Sequence, residues 1–361
     1  MKPLEQKYST GAVPNPQDHR DISVSAFETL ATTRPKRVIL SLEGVTPKNQ
    51  GGLGACVGHA ETSVIELNEY KDYNSLIALS PRDLYAECKR RDGLKAQGTY
   101  PRVAGLVIVD RGIAILAEVP NDTSLPHEKY IDTKKDTDSA VFSRQKGFAN
   151  VPIDYNFVAD QIAKGRMVAF SMPTSGADMS STPMKPSLTT LDGWHRVAFY
   201  GYEDVGTNDG ILYMVNSWGD GFGFKVQGNG GMHGCNTMLF SEWKTRLTDL
   251  QVYTDIPTAL IQKAREASKD FTYTFNTDLK RGMRNADVTA LQKALLASKD
   301  FYSQFYGDYL DTGYFGIITE TSVKRFQARH GIPNTGYVGK LTRAKLNELY
   351  SKKKISKRYL I

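Results

Sequence analysis

Long apolar runs are missing from this 361-residue chain, and cysteine is scarce. With no stretch of about 18 apolar residues, the sequence offers no transmembrane helix. The N-terminal MKPLEQKYSTGAVPNPQDHRD has no apolar core of the kind a signal peptide needs, so ordinary secretion is unsupported. Three cysteines, Cys56, Cys88 and Cys235, cannot all pair with one another, which excludes a disulfide scaffold. Cys56-x-x-His59 taken with Cys88 and Cys235 fits no compact zinc pattern, and neither a metal nor a cofactor is expected. What is there describes an ordinary soluble protein: 24% charged, 40% hydrophobic, and long enough for two domains.

The net charge of +7 is unevenly placed, because the tail SKKKISKRYLI alone carries Lys352, Lys353, Lys354, Lys357 and Arg358. Such a tail either stays solvated or attracts a polyanion such as a bacterial wall polymer, a membrane surface or nucleic acid. No nucleic-acid partner and no membrane span are expected.

Two regions differ in texture. Residues 1–254 mix helical and alternating patterns, with a leader over 1–40. Val57, Ala60, Val64 and Leu67 form an apolar stripe that predicts a helix over 56–69. Ser80-Pro81 should open a second helix through Cys88, with the serine as N-cap. A third helix is expected over 155–165, then a strand at MVAFSM. HRVAFYGY (195–202) and GILYMVNSW (210–218) read as strands joined by the turn EDVGTND. Helices first and strands later suit an α+β domain with a helical lobe and a β lobe. From 255 to 350 the chain becomes helical and repetitive: ALIQKAREASKDFTYTF (259–275) is echoed by ALQKALLASKDFYSQF (290–305), and the basic tail occupies 351–361.

Cys56 stands where a glycine-bearing loop meets a helix, and the positive end of a helix dipole favours a thiolate. A thiolate nucleophile needs a base and a group to hold that base in one tautomer. His195 leads one strand and Asn216 ends the next, and adjacent antiparallel strands can bring them together. Trp218 could shield that hydrogen bond from water. Gln50, six residues before Cys56, could aim its amide at an oxyanion beside the Cys56 N–H. The competing readings are Cys56 as core filler and His59 as the base. His233 and Cys235 read as structural or rim residues in a glycine-rich loop.

Gln50-Gly-Gly-Leu-Gly-Ala-Cys56, Gly193-Trp194-His195 and Asn216-Ser217-Trp218-Gly219 resemble the papain-type cysteine peptidases, in the family's order of Gln, Cys, His and Asn. The resemblance covers about residues 14–254. It implies a two-lobe α+β fold, an antiparallel β lobe packed on a helical one, and catalytic roles for Cys56, His195, Asn216 and Gln50. By the same similarity, the backbone at Gly98 and Thr99, with Trp194 and Trp218, would hold an extended substrate. The sequence departs from the family at Val57 and His59, and at Leu53, where a disulfide partner is usual. The segment VPNPQDHRDI resembles the short leader of bacterial and viral relatives.

In the C-terminal region, Leu279, Val288, Leu291 and Leu295 form one apolar stripe, and Val323 and Phe326 another. Val288-x-x-Leu291-Gln292 returns as Val323-x-x-Phe326-Gln327. Asp311–Gly316 and Thr335–Gly339 read as turns ahead of Thr319 and Thr342, each a helix N-cap candidate. This pattern resembles the small all-α peptidoglycan-binding domain of bacterial and bacteriophage wall hydrolases. Tyr314 and Tyr337 are the ligand candidates. The expectation is a cysteine endopeptidase on protein or peptide substrates, tethered to bacterial peptidoglycan and acting at the wall after lysis or on a virion. The alternatives are a phage lysin cutting peptidoglycan peptides and a non-catalytic wall-adhesion protein.

Overall fold

The computed structural model describes residues 9–18, 21–74, 77–134, 137–179, 181–186, 192–255, 272–298 and 313–351. These fall into two compact units that part between Ile256 and Pro257, with residues 90–93 grouped with the second. Most of the echoed pair 259–275 and 290–305, and the basic tail, lie outside the described residues.

The first unit is helical, then stranded. Its helices are α1 (Cys56–Tyr73), α2 (Pro81–Asp92), α3 (Pro101–Asp110), the short α4 (His127–Tyr130), α5 (Tyr155–Ala163), and the single turns α6 (Gly176–Met179) and α7 (Phe240–Trp243). The strands are β1 (Arg37–Ile39), β2 (Phe148–Asn150), β3 (Val168–Thr174), β4 (Gly193–Gly206), β5 (Asp209–Val215), β6 (Phe224–Gly228), β7 (Gly231–Leu239) and β8 (Thr248–Tyr253). They form one antiparallel sheet in the order β2-β8-β3-β4-β5-β7-β6, with β1 on β4. The core of this lobe gathers Phe170, Phe199, Tyr202, Leu212, Met214, Met238 and Trp243 between the sheet and α5.

Helix α1 begins at Cys56 as the sequence predicts, but runs to Tyr73 and is buried on almost every side, not along one stripe. Its polar residues stay inside because they are partnered. Glu66 accepts from the Thr46 N–H at 2.8 Å, the Leu79 N–H at 2.9 Å and Lys48 Nζ at 2.7 Å. Asn74 stops the helix in the left-handed region, with φ 49°. Ser80 caps α2 as expected, its Oγ accepting the Asp83 N–H at 3.1 Å.

The hairpin between β4 and β5 is tighter than the sequence suggests. The strands extend to a Gly206–Asp209 pair, leaving only Thr207 and Asn208 to turn, and Asn208 takes φ 54°. The glycine-rich stretch after Trp218 is likewise a hairpin of β6 and β7, so His233 and Cys235 lie on a strand, not in a loop. Alternation was masked there by glycine. None of the three cysteines is in a disulfide.

The second unit packs α8 (Ala286–Ala297), α9 (Ile317–Arg329) and α10 (Lys340–Tyr350) around buried Leu279, Val288, Leu291, Leu295, Phe315, Val323, Phe326, Val338 and Leu346. The sequence echo is one device built twice. Gln292 donates to Tyr314 O and Thr319 Oγ1, each at 2.9 Å, and accepts the Gly313 N–H at 2.9 Å. Gln327 repeats this with Tyr337 O, Thr342 Oγ1 and the Gly336 N–H. Thr319 and Thr342 are therefore not caps: the N-cap positions are Gly316 and Gly339, and both hydroxyls turn inward to a glutamine. Gly313 and Gly336 need φ of 71° and 76°, which explains glycine at those turns.

Candidate active site

Three segments converge at the N-terminus of α1. The strip Lys48–Gln50 pairs with Ser217–Gly219: Gln50 N–H donates to Ser217 O at 2.8 Å and Gly219 N–H to Lys48 O at 3.0 Å. The pairing ties the loop before Cys56 to the end of β5. Gln50 is fully buried; its Oε1 accepts from Ser217 Oγ at 2.6 Å, and its Nε2 donates to Leu53 O at 2.7 Å. Ser217 thus fixes which end of the amide faces the cleft. Sequence reasoning gave it no role, although its place in Asn-Ser-Trp beside the other candidates was a usable signal.

His195 and Asn216 meet as the strand argument predicts. His195 Nε2 lies 2.8 Å from Asn216 Oδ1. An amide oxygen only accepts, so Nε2 carries the hydrogen and the neutral ring leaves its lone pair on Nδ1. That Nδ1 is buried without a hydrogen-bond partner among the described residues. Trp218 stacks over the imidazole with ring centroids 4.4 Å apart and planes 24° apart, covering the His195–Asn216 bond. The Cys56 thiol lies against the backbone N–H groups of Arg196, Val57 and Gly11. The first of these is the peptide N–H joining His195 to its neighbour, so the sulfur lies beside the β4 backbone at His195. Sulfur and imidazole are not hydrogen-bonded to each other in this state.

The leader covers this site. Residues 9–13 run through the cleft in extended form. Ser9 O accepts from Gln50 Nε2 at 3.0 Å and from Trp218 Nε1 at 3.2 Å. Gly11 and Ala12 N–H groups donate to Trp194 O at 2.9 and 3.0 Å. Thr99 N–H donates to Gly11 O and Val13 N–H to Thr99 O, each at 3.0 Å, a parallel bridge between Ala12 and Thr99. Gly11 passes so close that a Cβ built on it would sit 2.0 Å from Gly54 O. Beyond it, Arg102 anchors the leader through Asp21, with Nη2 to Oδ2 at 2.5 Å, and through Pro16 O at 2.8 Å.

Covered this way, both candidate groups are cut off from water. Burial pushes the Cys56 thiol up to about 11, against the lowering by the Arg196, Val57 and Gly11 N–H groups. Burial likewise pulls His195 down to about 4, only partly offset by Asn216. The pair rests neutral. The wall at Gly98 and Thr99 is held from behind: Gly98 N–H donates to Tyr85 OH at 2.9 Å, and Lys89 Nζ to Gly98 O at 2.9 Å.

The remaining candidates sit elsewhere. His59 is fully buried on α1, with Nδ1 2.9 Å from Ala55 O and Nε2 3.2 Å from Asn121 Nδ2, and burial holds it near 4. His233 is buried on β7 with Nε2 3.0 Å from Val45 O, a structural position. In the second unit, Tyr337 is 43% exposed and its OH donates to Asp278 Oδ2 at 2.5 Å. Tyr314 lies under the Arg284 guanidinium, 5.1 Å from the ring centre. Among the described residues no group of His, Cys, Asp and Glu could hold a metal ion. No described helix is long and apolar enough to cross a membrane.

Residues 41–236 match the family model described as "Papain family cysteine protease". The chain belongs to that family. Residues 284–346 of this papain-family protease match a second model, "Putative peptidoglycan binding domain". Among solved structures, the chain is similar to xylellain, a cysteine protease from Xylella fastidiosa, at TM-score 0.59 and 18% identity. That match covers 70% of this chain and 98% of the other. It is also similar to digestive procathepsin L2 of Tenebrio molitor larval midgut, at TM-score 0.55 and 21% identity over 70% and 81% of the two chains. At such identities these likenesses speak for the papain-like fold. The two-lobe α+β architecture and the helical C-terminal domain agree with the sequence reading.

Proposed function

We propose that this papain-family protease is an endopeptidase in which Cys56 is the nucleophile, His195 its base, Asn216 the group orienting that base, and Gln50 an oxyanion donor. The observation that carries this reading is the His195–Asn216 bond, which leaves Nδ1 buried without a hydrogen-bond partner among the described residues. Once the leader leaves, water returns and the burial penalties on both groups relax. Nδ1 takes the Cys56 proton, and the sulfur attacks a peptide carbonyl carbon. The tetrahedral oxyanion takes hydrogen bonds from Gln50 Nε2 and the Cys56 N–H, where Ser9 O now occupies the glutamine. His195 returns the proton to the leaving amine, and water hydrolyses the thioester.

The peptidoglycan-binding match supports a tethered enzyme: the C-terminal domain, with Tyr314 and Tyr337 as its ligand candidates, raises the local concentration of wall-bound substrate without altering the chemistry. We place the site of action at the bacterial wall. An extended strip at Gly98 and Thr99 favours proteins as substrates. The same wall-binding domain favours a second reading, a bacteriophage lysin or virion hydrolase cutting the peptides of peptidoglycan. Incubating wild type and Cys56→Ala with a denatured protein and with purified walls separates them. Activity lost in Cys56→Ala on one substrate assigns it; inactivity on both, in wild type and also in a Gly11→Leu protein whose leader no longer fits against Gly54, leaves a wall-adhesion protein.

A further inference from the structure

The strand that carries His195 is fastened to the helix that carries Cys56 by an ion pair with no access to water. Arg196 follows His195 on β4, and side chains alternate along a strand, so the two leave β4 on opposite faces. Glu61 stands five residues after Cys56 on α1, about 7.5 Å along the helix axis. Arg196 Nε donates to Glu61 Oε1 at 2.6 Å, and both side chains are 0% exposed. We propose that Arg196 and Glu61 are positioning residues that set the separation of Cys56 and His195.

The network around the pair leaves little freedom. Arg196 Nη1 donates to Ser171 Oγ at 3.0 Å and Asp249 O at 2.9 Å, and Nη2 to Gln251 Oε1 at 2.7 Å. Glu61 Oε2 accepts from Tyr253 OH at 2.8 Å. The guanidinium fork therefore joins α1 to β3, β4 and β8 at once, and its planar geometry fixes direction as well as distance. Any slide of β4 along α1 would break a charged, fully desolvated contact, and the same slide would move His195 relative to the sulfur. The peptide N–H between His195 and Arg196 already lies against that sulfur. The pair is a poor device for stability alone, since well-packed apolar residues of similar volume serve as well or better. Positioning explains why both charges are there.

The inference rests on the assignment of Cys56 and His195, and its test keeps the two apart. Three full-length proteins are compared with wild type: Glu61→Leu/Arg196→Met, which removes both charges; Arg196→Lys, which keeps the charge and loses the fork; and His195→Ala. Melting temperature, kcat and KM on a denatured protein, and the pH profile of Cys56 alkylation by iodoacetamide are measured. The double variant is expected to fold and to melt below wild type, because Tyr253 OH, Gln251 Oε1 and Asp249 O lose their partners. In it and in Arg196→Lys, kcat falls roughly 10-fold or more with KM within about 2-fold, and the acid limb of the alkylation profile shifts. Wild-type kcat and an unshifted profile in either folded variant overturn the proposal. Should the double variant not fold, Arg196→Lys decides alone. Alkylation unchanged in His195→Ala would instead overturn the site assignment.

Discussion

Gly11→Leu should make the protease faster. At Gly11 the leader passes Gly54 with no space for a side chain, since a Cβ there would sit 2.0 Å from Gly54 O and 2.3 Å from its carbonyl carbon. Ordinary contact begins near 3.4 Å, and both partners are backbone, so nothing flexible can yield. Forcing extra atoms into a packed site costs about 1–3 kcal/mol. Here the cost falls on the closed state alone, because a displaced leader meets no Gly54. The closed–open equilibrium then shifts toward open by roughly 5- to 150-fold. Sulfur that is 0% exposed reacts only while open, so the rate of Cys56 alkylation rises by the same factor until opening is no longer rare. The assay is stopped-flow or quenched labelling with iodoacetamide at constant pH, with Gly206→Ala as control, since a Cβ there meets nothing within 4 Å. A folded Gly11→Leu protein that labels at the wild-type rate refutes the claim that the leader closes the site.

Other expectations concern charge and packing. Glu69 is pushed up to about 7 by burial and then by Asp72, against a hydrogen bond from Gln145. Its folded pKa exceeds the ordinary 4.5, so the folded state holds this proton more tightly and loses stability as pH rises from about 4.5 through 7. Glu69→Gln should therefore raise the melting temperature at pH 8 and leave it unchanged at pH 4; a gain at pH 4 alone would contradict the sign. Gln292→Leu strands the Gly313 N–H and Tyr314 O, and should cost the C-terminal unit about 1–3 kcal/mol in denaturant unfolding. Gln327→Leu, at the matching position in the repeat, should cost about as much.

The candidate residues stood out in the sequence because their types are rare and their order is telling, and the structure brings His195 and Asn216 together. One cysteine at a helix start, one histidine leading a strand and one asparagine ending the next leave few alternatives. The Gln292 and Gln327 echo was legible as a repeat, though its purpose was not: the threonines were read as caps because local sequence shows spacing, not which way a hydroxyl turns. Residues whose role depends on a distant partner stayed hidden. Nothing near Glu61 announces Arg196, 135 residues away. Nothing near Ser9 announces Gln50, 41 residues away. The short turn at Thr207-Asn208 was hidden by the polar run EDVGTND, which reads as loop although most of it continues the strands.

The central claim is that His195 activates Cys56. Its most direct measurement is peptide mapping after exposure to an epoxide-type thiol reagent at neutral pH, on wild type and His195→Ala. A single adduct is expected on Cys56, none on Cys88 or Cys235, with the Cys56 rate reduced roughly 10²–10⁴-fold in His195→Ala. Equal labelling of Cys56 with and without the imidazole, or preferential labelling of another cysteine, would contradict it.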